Sequence, residues 1–459
     1  MKYQLDFKKQ SFAVIGLGDT GLSIINYLNY KKANLLRVFD TRYNPPHQDE
    51  LQKLININTT CHFGLLDITL FNDIDVVIIS PGISIYDDVL QTAITNNKIV
   101  LGDIELFSHA ISNWNSQIVG ITGSNGKTTV TTLTGFLLKS LGYTTLVAGN
   151  IGTPVLTSYL DIIKNNVIPE YIVLELSSFQ LETLYSMNFS VATVLNISED
   201  HLDRYRDLLE YAYAKANIFN NCKIQVLNTD DKMVLAMARS SMDNLTFGLH
   251  ETAKFTLSYT NGKSFLKIMG YDFIACSELS LIGIHNYLNV LSTLALLSAL
   301  KINISDDKFK KALCEFKGLE HRMQKILEHN GVVYIEDSKG TNVGAVVAGI
   351  SGLDMPVHLI LGGDGKGQDF MPLRQLVATK CKSVAIIGQD KKLIEAVLSD
   401  LEIPIAIFMD LKEAVQFCIN NARPGESVVL SPACASWDMF DNYKHRAQVF
   451  VDSIYENIK

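Results

Sequence analysis

The chain has 459 residues, of which 47% are hydrophobic and 19% are charged, and its formal net charge is −8. This length predicts about three domains, and this composition is typical of a globular protein that buries several cores. The acidic balance argues against nucleic acid as the main partner, because binding to nucleic acid depends on neutralisation of phosphates by Lys and Arg. A small acidic substrate remains compatible with the charge, since local basic residues can serve it.

The seven cysteines are scattered, odd in number and contain no C-x-x-C pair. This pattern indicates a reducing compartment and neither a disulfide framework nor a zinc site. The chain begins without an apolar signal-like region, and no apolar run reaches the ~18 residues that a membrane span needs. The sequence therefore predicts a cytoplasmic protein with no membrane segment.

The first hundred residues alternate strand and helix signals. Strands are predicted at 11–16, 35–39 and 75–79, and a helix at 20–30, which indicates βαβ units and a parallel sheet. The first strand leads into a G-x-G-x-x-G turn at 16–21, and Asp40 ends the next strand. This context is compatible with NAD binding. It is equally compatible with a tight turn that holds another phosphorylated ligand or none.

A second unit begins near residue 117 with an apolar strand and a glycine-rich loop that opens a helix. In such loops the backbone N–H groups surround phosphates, the lysine reaches the terminal phosphates, and the following hydroxyl binds Mg²⁺. The full motif needs a glycine at position 121, which is Ile121. The pattern favours a nucleoside triphosphate over a plain strand–turn–helix. The candidate residues are Gly123, Ser124, Asn125, Gly126, Lys127, Thr128 and Thr129.

Further strands of this unit are predicted at 144–148, 171–176, 191–196 and 224–227. Strands at 255–259 and 264–268 flank Asn261-Gly262, which is typical of a hairpin, and we expect an edge ribbon. An apolar helix at 285–300 closes the unit.

Ionisable residues follow the carboxyl ends of two strands of this unit. Parallel sheets bind their ligands at these strand ends. Glu175 can reach a metal ion or simply cap a helix, and the preceding phosphate loop favours the metal role. His201 lies among carboxylates directly after a strand and is a candidate metal ligand. Lys215 follows on the next predicted helix, and its chemistry alone indicates a solvated surface lysine.

Polar residues also occur at the start of the second unit's last predicted helix and at the joint that follows it. Asn286 and Asn289 share a helix face, where their amides can pair with the edge of a base, or one can be an N-cap. Arg322, at the joint near residue 318, can reach a phosphate or remain a surface residue.

The third unit has predicted strands at 332–335, 358–361, 383–387 and 427–430. The strand ends at 336–342, 361–367 and 431–438 carry Lys, Ser and Thr, which suit an anionic carboxylate substrate, although each alone could be a turn with a helix cap. Cys434 has no base nearby in sequence and is expected to be a buried thiol.

Together these stretches resemble the Mur ligases of peptidoglycan synthesis, and most closely the branch that adds D-glutamate. The resemblance extends over the whole chain and rests on motifs in the family's order. They are the shortened phosphate loop at 123–129 and the stretches at 175–180, 199–205, 283–289, 321–322, 337–342, 361–367 and 431–436.

The resemblance implies an α/β protein of three domains, at 1–105, 106–318 and 319–459. The N-terminal domain would be Rossmann-like and bind a UDP-substrate, and the central one would be P-loop ATPase-like with a mostly parallel sheet. The C-terminal domain would be Rossmann-like and bind the amino acid. The implied reaction is ATP-driven coupling of UDP-N-acetylmuramoyl-L-alanine to D-glutamate through an acyl phosphate. The enzyme would be a monomer.

The family's roles fall on matching positions of this sequence. Lys127, Glu175, His201 and Lys215 would be catalytic, and Thr128 would join the last three around two Mg²⁺ ions, with Lys215 carbamylated. ATP would contact residues 123–129, Asn286, Asn289, Arg322 and Asp337. The UDP-substrate would contact Asp19, Thr20, Thr41, Arg42, Gly82, Asn150 and Gln180. D-glutamate would contact Thr341, Lys366, Ser436 and Tyr443.

The sequence departs from the family pattern at Gly340, Trp437, Tyr443 and Ala447, all near the implied amino-acid pocket. Two alternatives stand beside the D-glutamate ligase. One is a folylpolyglutamate synthase from the same superfamily, and the other is an NAD-dependent oxidoreductase or a silent NAD-binding module.

Overall fold

The computed structural model describes residues 3–458, except 56, 202, 203, 261, 282 and 354. Its strands form three separate sheets that follow one another along the chain, and most neighbouring strands are parallel. The α/β prediction is confirmed. Among the described residues, no helix is both long and apolar enough to cross a bilayer.

The N-terminal sheet is entirely parallel, with the strand order β3-β2-β1-β4-β5. Its strands are β1 Ser11–Ile15, β2 Asn34–Asp40, β3 Thr60–Phe63, β4 Val76–Ile79 and β5 Ile99–Gly102. The helices are α1 Asp19–Tyr30, α2 Gln48–Leu54, α3 Asp88–Thr95 and α4 Asp103–Ala110. The order reverses between β1 and β4, which creates the crevice where such sheets bind ligands. A Cβ at Gly21 would lie 1.8 Å from the Gly16 carbonyl oxygen, so the glycine turn needs glycine at this position.

The central sheet has nine strands in the order β14-β13-β12-β11-β10-β9-β6-β8-β7. They are β6 Gln117–Thr122, β7 Thr145–Gly149, β8 Tyr171–Glu175, β9 Phe189–Val194, β10 Cys222–Asn228, β11 Asp243–Phe247, β12 Phe255–Thr260, β13 Lys263–Ile268 and β14 Tyr271–Ala275. The helices are α5 Lys127–Ser140, α6 Val155–Asn165, α7 Ser178–Glu182, α8 Leu208–Ala216, α9 Lys232–Ala236, α10 Ile284–Ala299 and α11 Asp307–Glu315.

The hairpin predicted on the central sheet is present as the antiparallel pair β12–β13, at the sheet edge. Asn261, part of the turn prediction, lies outside the described residues. The ribbon has a third strand, β14, that the sequence did not indicate. The predicted closing helix corresponds to α10, but α11 follows it, so α10 does not end the unit.

The C-terminal sheet has the order β15-β16-β20-β17-β18-β19, with only β15 antiparallel to its neighbour. Its strands are β15 Gln324–His329, β16 Val332–Glu336, β17 Val357–Gly362, β18 Cys381–Ile387, β19 Ile405–Ile407 and β20 Ser427–Leu430. The helices are α12 Val343–Ser351, α13 Met371–Lys380, α14 Lys391–Leu398, α15 Leu411–Asn421 and α16 Tyr443–Asn457.

One hydrophobic core is shared by the first two units, each of which also has a further core, whereas the third unit has two cores of its own. Tyr159 of the central unit packs against Tyr27, Phe107 and Trp114, with ring centroids 5.5–6.5 Å apart. The predicted division after residue 105 falls inside α4, and the domain limits stay a prediction. This arrangement fixes the first unit on the second through apolar burial.

Candidate active site

The phosphate loop follows β6, which lies between β9 and β8 in the central sheet. Gly123 and Gly126 have φ angles of 150° and 84°, in the region that favours glycine. The Lys127 Nζ donates hydrogen bonds of 2.8 Å to the carbonyl oxygens of Gly123 and Ser124. Ile121 is buried in β6. The short loop therefore turns directly into α5, whose N-terminal amides favour an anion.

Glu175 ends β8 beside this loop and is almost fully buried. Its Oε1 accepts a hydrogen bond of 3.2 Å from the Asn150 Nδ2. Its Oε2 is buried with no hydrogen-bond partner among the described residues. A buried, unpaired carboxylate oxygen is costly unless a cation or donor meets it, so this position suits a metal ion.

Lys215 is completely buried, so the surface-lysine interpretation is wrong. Its Nζ donates a hydrogen bond of 2.9 Å to the Gly123 carbonyl oxygen and lies 4.5 Å from the Tyr211 ring centroid. Burial, and then repulsion from Lys127, lower the pKa of Lys215 well below 10.5, although Asp200 and Glu175 oppose this. The amine is therefore held close to the loop in an environment that favours its neutral form.

His201 lies in the loop after β9, with a φ angle of 56°. Its Nε2 is 3.8 Å from Asp200 Oδ2, and its ring contacts the Phe179 ring edge to face at 4.9 Å. Leu202 and Asp203 of the same motif lie outside the described residues. Among the residues that are described, no three His, Cys, Asp or Glu side chains cluster closely enough to hold a metal ion.

Lys366 of the C-terminal unit pairs with Asp200 of the central unit. The Lys366 Nζ donates to Asp200 Oδ1 at 2.6 Å, and both side chains are mostly buried. Burial alone would raise the pKa of Asp200, but Lys366 and His201 outweigh it and lower that pKa. A second polar contact joins the units, since the amides of Asn125 and Asn342 exchange hydrogen bonds of 3.2 and 3.1 Å.

A central cavity of about 440 Å³ lies between these two units. Its central-unit walls include Lys127, Thr128 and Glu175, and its C-terminal walls include Thr341 and Tyr443. Of the predicted D-glutamate residues, Thr341 and Tyr443 therefore reach this cavity. Lys366 is engaged by Asp200, and Ser436 is buried outside the cavity walls.

Lys339 and Asn342 are two of the residues of this cavity that were not predicted from the sequence as site residues. Burial, and then Arg322, lower the pKa of Lys339 to about 8, and its Nζ lies 5.2 Å from the Tyr443 ring centroid. The signal was available, because both residues belong to the strand-end stretch 336–342. Nothing in a single sequence says which side chains of such a turn point inward.

A second cavity, of about 270 Å³, begins at the phosphate loop and continues toward α10. The predicted ATP residues that line it are Asn125, Gly126, Thr129, Asn286, Asn289, Arg322 and Asp337. Ser124, Lys127 and Thr128 line the central cavity instead. Burial raises the pKa of Asp337 to about 7, although Ser431 Oγ donates to it at 2.6 Å. His285 also lines the cavity, and burial lowers its pKa to about 4.

A third cavity, of about 600 Å³, opens at the crevice of the N-terminal sheet. All the residues predicted to hold the UDP-substrate line it: Asp19, Thr20, Thr41, Arg42, Gly82, Asn150 and Gln180. Arg42 makes a bidentate contact with Asp40, which the sequence analysis had not placed in the site. The segment 150–152 lines both this cavity and the central one, so the two adjoin.

One departure from the family pattern has a physical reason in the structure. A Cβ at Gly340 would lie 2.5 Å from Asp337 Oδ2 and 2.9 Å from Ser431 Oγ. Alanine at this position would therefore collide with the buried hydrogen bond between those side chains. Trp437 is 74% exposed, and nothing in the structure explains its presence.

Three successive segments of the chain match domains of one protein family. Residues 10–102 match the N-terminal domain of MurD-like Mur ligases, residues 121–297 match the Mur ligase middle domain, and residues 321–434 match the Mur ligase glutamate ligase domain.

Similar curated proteins named UDP-N-acetylmuramoylalanine--D-glutamate ligase come from Nitrosomonas eutropha and Haemophilus influenzae. The first is 43% identical, with 98% of this chain and 97% of the relative covered, and the second is 40% identical, with 97% and 98% covered. Among solved structures, the fold is similar to a MurF ligase from Thermotoga maritima in complex with ADP. The TM-score is 0.63 at 16% identity, and the match covers 98% of this chain and 96% of that one.

Proposed function

This chain belongs to the Mur ligase family, and we propose that it joins D-glutamate to UDP-N-acetylmuramoyl-L-alanine at the expense of ATP, in the synthesis of peptidoglycan precursors. Relatives that bear this activity in their names are 40–44% identical to it over nearly the whole length. Such similarity sets aside the NAD-dependent oxidoreductase and the folylpolyglutamate synthase. The glycine turn at 16–21 then serves the diphosphate of the UDP-substrate.

The observation that carries the proposal is the adjacency of the three cavities. The cavity at the N-terminal crevice shares the segment 150–152 with the central cavity, and Asn125 and Arg322 line both the central cavity and the one toward α10. A UDP-substrate in the first and ATP in the last would direct the acyl carboxylate and the γ-phosphate into the same central space. Such convergence is what phosphorylation of a carboxylate requires.

The reaction has two steps. An oxygen of the substrate carboxylate attacks the γ-phosphorus, and the bond to ADP breaks, which gives an acyl phosphate. The amine of D-glutamate then attacks the acyl carbon, phosphate leaves, and the nitrogen loses a proton. Lys127 would stabilise the negative charge on the phosphoryl group during its transfer, since its Nζ already lies at the phosphate loop. Burial between the units would protect the acyl phosphate from water.

Two Mg²⁺ ions fit the residues around the loop. Thr128, Glu175, His201 and a carbamylated Lys215 would hold them, and the unpaired buried Oε2 of Glu175 is the observation that supports this assignment. When bound, the ions would neutralise charge on the phosphates and the substrate carboxylate.

Carbamylation of Lys215 would supply an anionic ligand that the loop otherwise lacks. The neutral amine attacks CO₂, an N–C bond forms, and a proton is released, so that a buried amine becomes a carboxylate. The lowered pKa of Lys215 favours the neutral form that this reaction needs.

D-glutamate would bind on the C-terminal side of the central cavity, with Thr341, Tyr443, Lys366 and Ser436. In the structure Lys366 is paired with Asp200. A carboxylate of the amino acid would replace Asp200 as the partner of Lys366, which requires a shift of the 364–369 segment relative to the central unit. We also propose that the enzyme acts as a monomer in the cytoplasm, where ATP and UDP-sugars are available.

The experiment that tests this function is identification of the product by mass spectrometry. The protein is incubated with ATP, UDP-N-acetylmuramoyl-L-alanine and D-glutamate, and we expect one product that carries a single added glutamate. Formation of the same product at the same rate with L-glutamate would contradict the assigned specificity. A glutamylated folate in a parallel reaction would favour the folylpolyglutamate alternative.

A further inference from the structure

Arg204 connects the N-terminal crevice to the central unit by direct hydrogen bonds. Its Nη1 donates to the Pro81 carbonyl oxygen at 3.1 Å, and its Nη2 donates to the Ile83 carbonyl oxygen at 3.3 Å. These carbonyls flank Gly82, and residues 80–83 line the cavity assigned to the UDP-substrate. The guanidinium therefore holds the turn that forms one wall of that cavity.

The same guanidinium is anchored on α7 of the central unit. The Nη2 donates to Glu182 Oε2 at 2.7 Å, and Glu182 Oε1 accepts a hydrogen bond of 2.6 Å from the Tyr205 hydroxyl. The side chains of Arg204 and Glu182 are only 11% and 3% exposed. A buried ion pair is retained at a desolvation cost, and its best-attested use is to fix one arrangement of the parts it joins.

The ring of Phe179 links Arg204 to the loop that contains Asp200 and His201. The Arg204 guanidinium lies 3.8 Å from the centroid of the Phe179 ring, and the same ring contacts His201. The backbone N–H of Arg204 also donates to the His201 carbonyl oxygen at 3.0 Å. His201 is thus held by Arg204 through the chain and through Phe179.

We propose that Arg204 is a positioning residue that couples occupancy of the UDP-substrate cavity to the conformation of the Asp200–His201 loop, and so to nucleotide binding. A ligand against Gly82 fixes the 80–83 turn, the turn fixes the guanidinium, and the guanidinium fixes the loop beside the phosphate site. The assignment of ligands to cavities rests on the proposed function. Coupling of this kind is reciprocal, so each ligand raises the affinity of the other by the same factor.

The sharpest variant is Arg204→Lys, because lysine keeps the charge but lacks the planar fork that reaches several acceptors at once. Arg206→Lys is the matched control. Arg206 lies two residues further on, pairs with Glu210, and is 85% exposed on its side chain. A second variant, Tyr205→Phe, removes only the hydroxyl that supports Glu182, and it keeps the proposal testable if Arg204→Lys folds poorly.

The measurement is the calorimetric Kd of UDP-N-acetylmuramoyl-L-alanine, with and without a saturating non-hydrolysable ATP analogue. We expect the analogue to tighten binding by about 5-fold or more in the wild type and in Arg206→Lys. The factor should fall below about 2-fold in Arg204→Lys and to an intermediate value in Tyr205→Phe.

An unchanged coupling factor in Arg204→Lys, an equal loss in Arg206→Lys, or no coupling in the wild type would each overturn the proposal. Wild-type turnover with D-glutamate is measured separately. An active wild-type enzyme without coupling would refute the role of Arg204 alone, whereas a wild type that forms no product would refute the proposed function.

Discussion

Lys215→Ala separates the chemistry of this buried amine from its contribution to stability. The substitution removes the methylene stem beyond Cβ, whose burial stabilises the fold by roughly 2.4 kcal/mol at about 0.8 kcal/mol per methylene. It also relieves the burial of a polar amine, a desolvation that costs roughly 1–3 kcal/mol. These effects oppose each other, so we expect a change in the free energy of unfolding within about 2 kcal/mol.

The expected loss of activity is much larger than any loss of folded protein. Removal of one preorganised charged group next to a transferred phosphoryl group lowers kcat by about 100- to 1,000-fold, or about 2.7–4 kcal/mol. The assay is phosphate release with saturating ATP, UDP-N-acetylmuramoyl-L-alanine and D-glutamate. Formate or acetate added to Lys215→Ala should restore part of the activity, because a short carboxylate can occupy the vacated space and replace the carbamate.

Lys215→Met is the matched control, since it keeps an apolar stem and removes only the amine. The pKa of folded Lys215 lies below the value of 10.5 for the free side chain. In protein whose Lys215 is not carbamylated, the unfolded chain holds the proton between these values and the folded chain does not, so wild-type stability rises with pH. The free energy of unfolding of the wild type should therefore rise relative to that of Lys215→Met as pH rises toward 10.5. Near-normal turnover of Lys215→Ala would refute the role assigned to this residue.

Three further predictions concern other parts of the chain. Gly126→Ala should abolish ATP binding measured by calorimetry, because φ is 84° and the new Cβ would lie 2.4 Å from Asn289 Oδ1; unchanged affinity would contradict the loop geometry. Lys127→Ala should lose turnover but keep the Kd for the UDP-substrate, whereas tight NAD binding unaffected by this substitution would favour an oxidoreductase. Burial alone would raise the pKa of Glu426, but hydrogen bonds from His358 and the backbone outweigh it and lower that pKa below 4.5. The contact between Glu426 and His358 therefore stabilises the fold above pH 4.5, and this stabilisation is lost as pH falls further. Glu426→Gln should reduce that acid-side fall in Tm, and an unchanged pH profile would show that the pair contributes nothing.

The sequence predicted most of the parallel strands because each is a short apolar run that ends in a glycine-rich or polar turn. β1 is a clear case, since all its residues are buried. It missed β3, β5, β14, β15 and β19, which are edge strands of their sheets, and β11, whose residues are mostly half-buried. Edge strands have one unpaired side and a weaker apolar pattern, so a periodicity argument does not detect them.

Some parts of the candidate site could be predicted from the sequence, and others could not. The phosphate loop could be identified locally, because its chemistry lies in consecutive residues. The burial of Lys215 could not, since it depends on packing against the phosphate loop, where the Gly123 carbonyl oxygen that accepts its hydrogen bond lies 92 residues away in sequence. The pairing of Lys366 with Asp200 joins two units that are far apart in sequence, and no local pattern encodes such a contact.

The most direct test of the proposed activity is ATP-dependent phosphate release measured across a panel of amino acids. With UDP-N-acetylmuramoyl-L-alanine present, we expect rapid release with D-glutamate and only background release with L-glutamate, a diamino acid, or no amino acid. Omission of the UDP-substrate should also reduce release to background. Release that is independent of the UDP-substrate, or equal with L-glutamate and D-glutamate, would contradict the assignment of this chain as a D-glutamate-adding ligase.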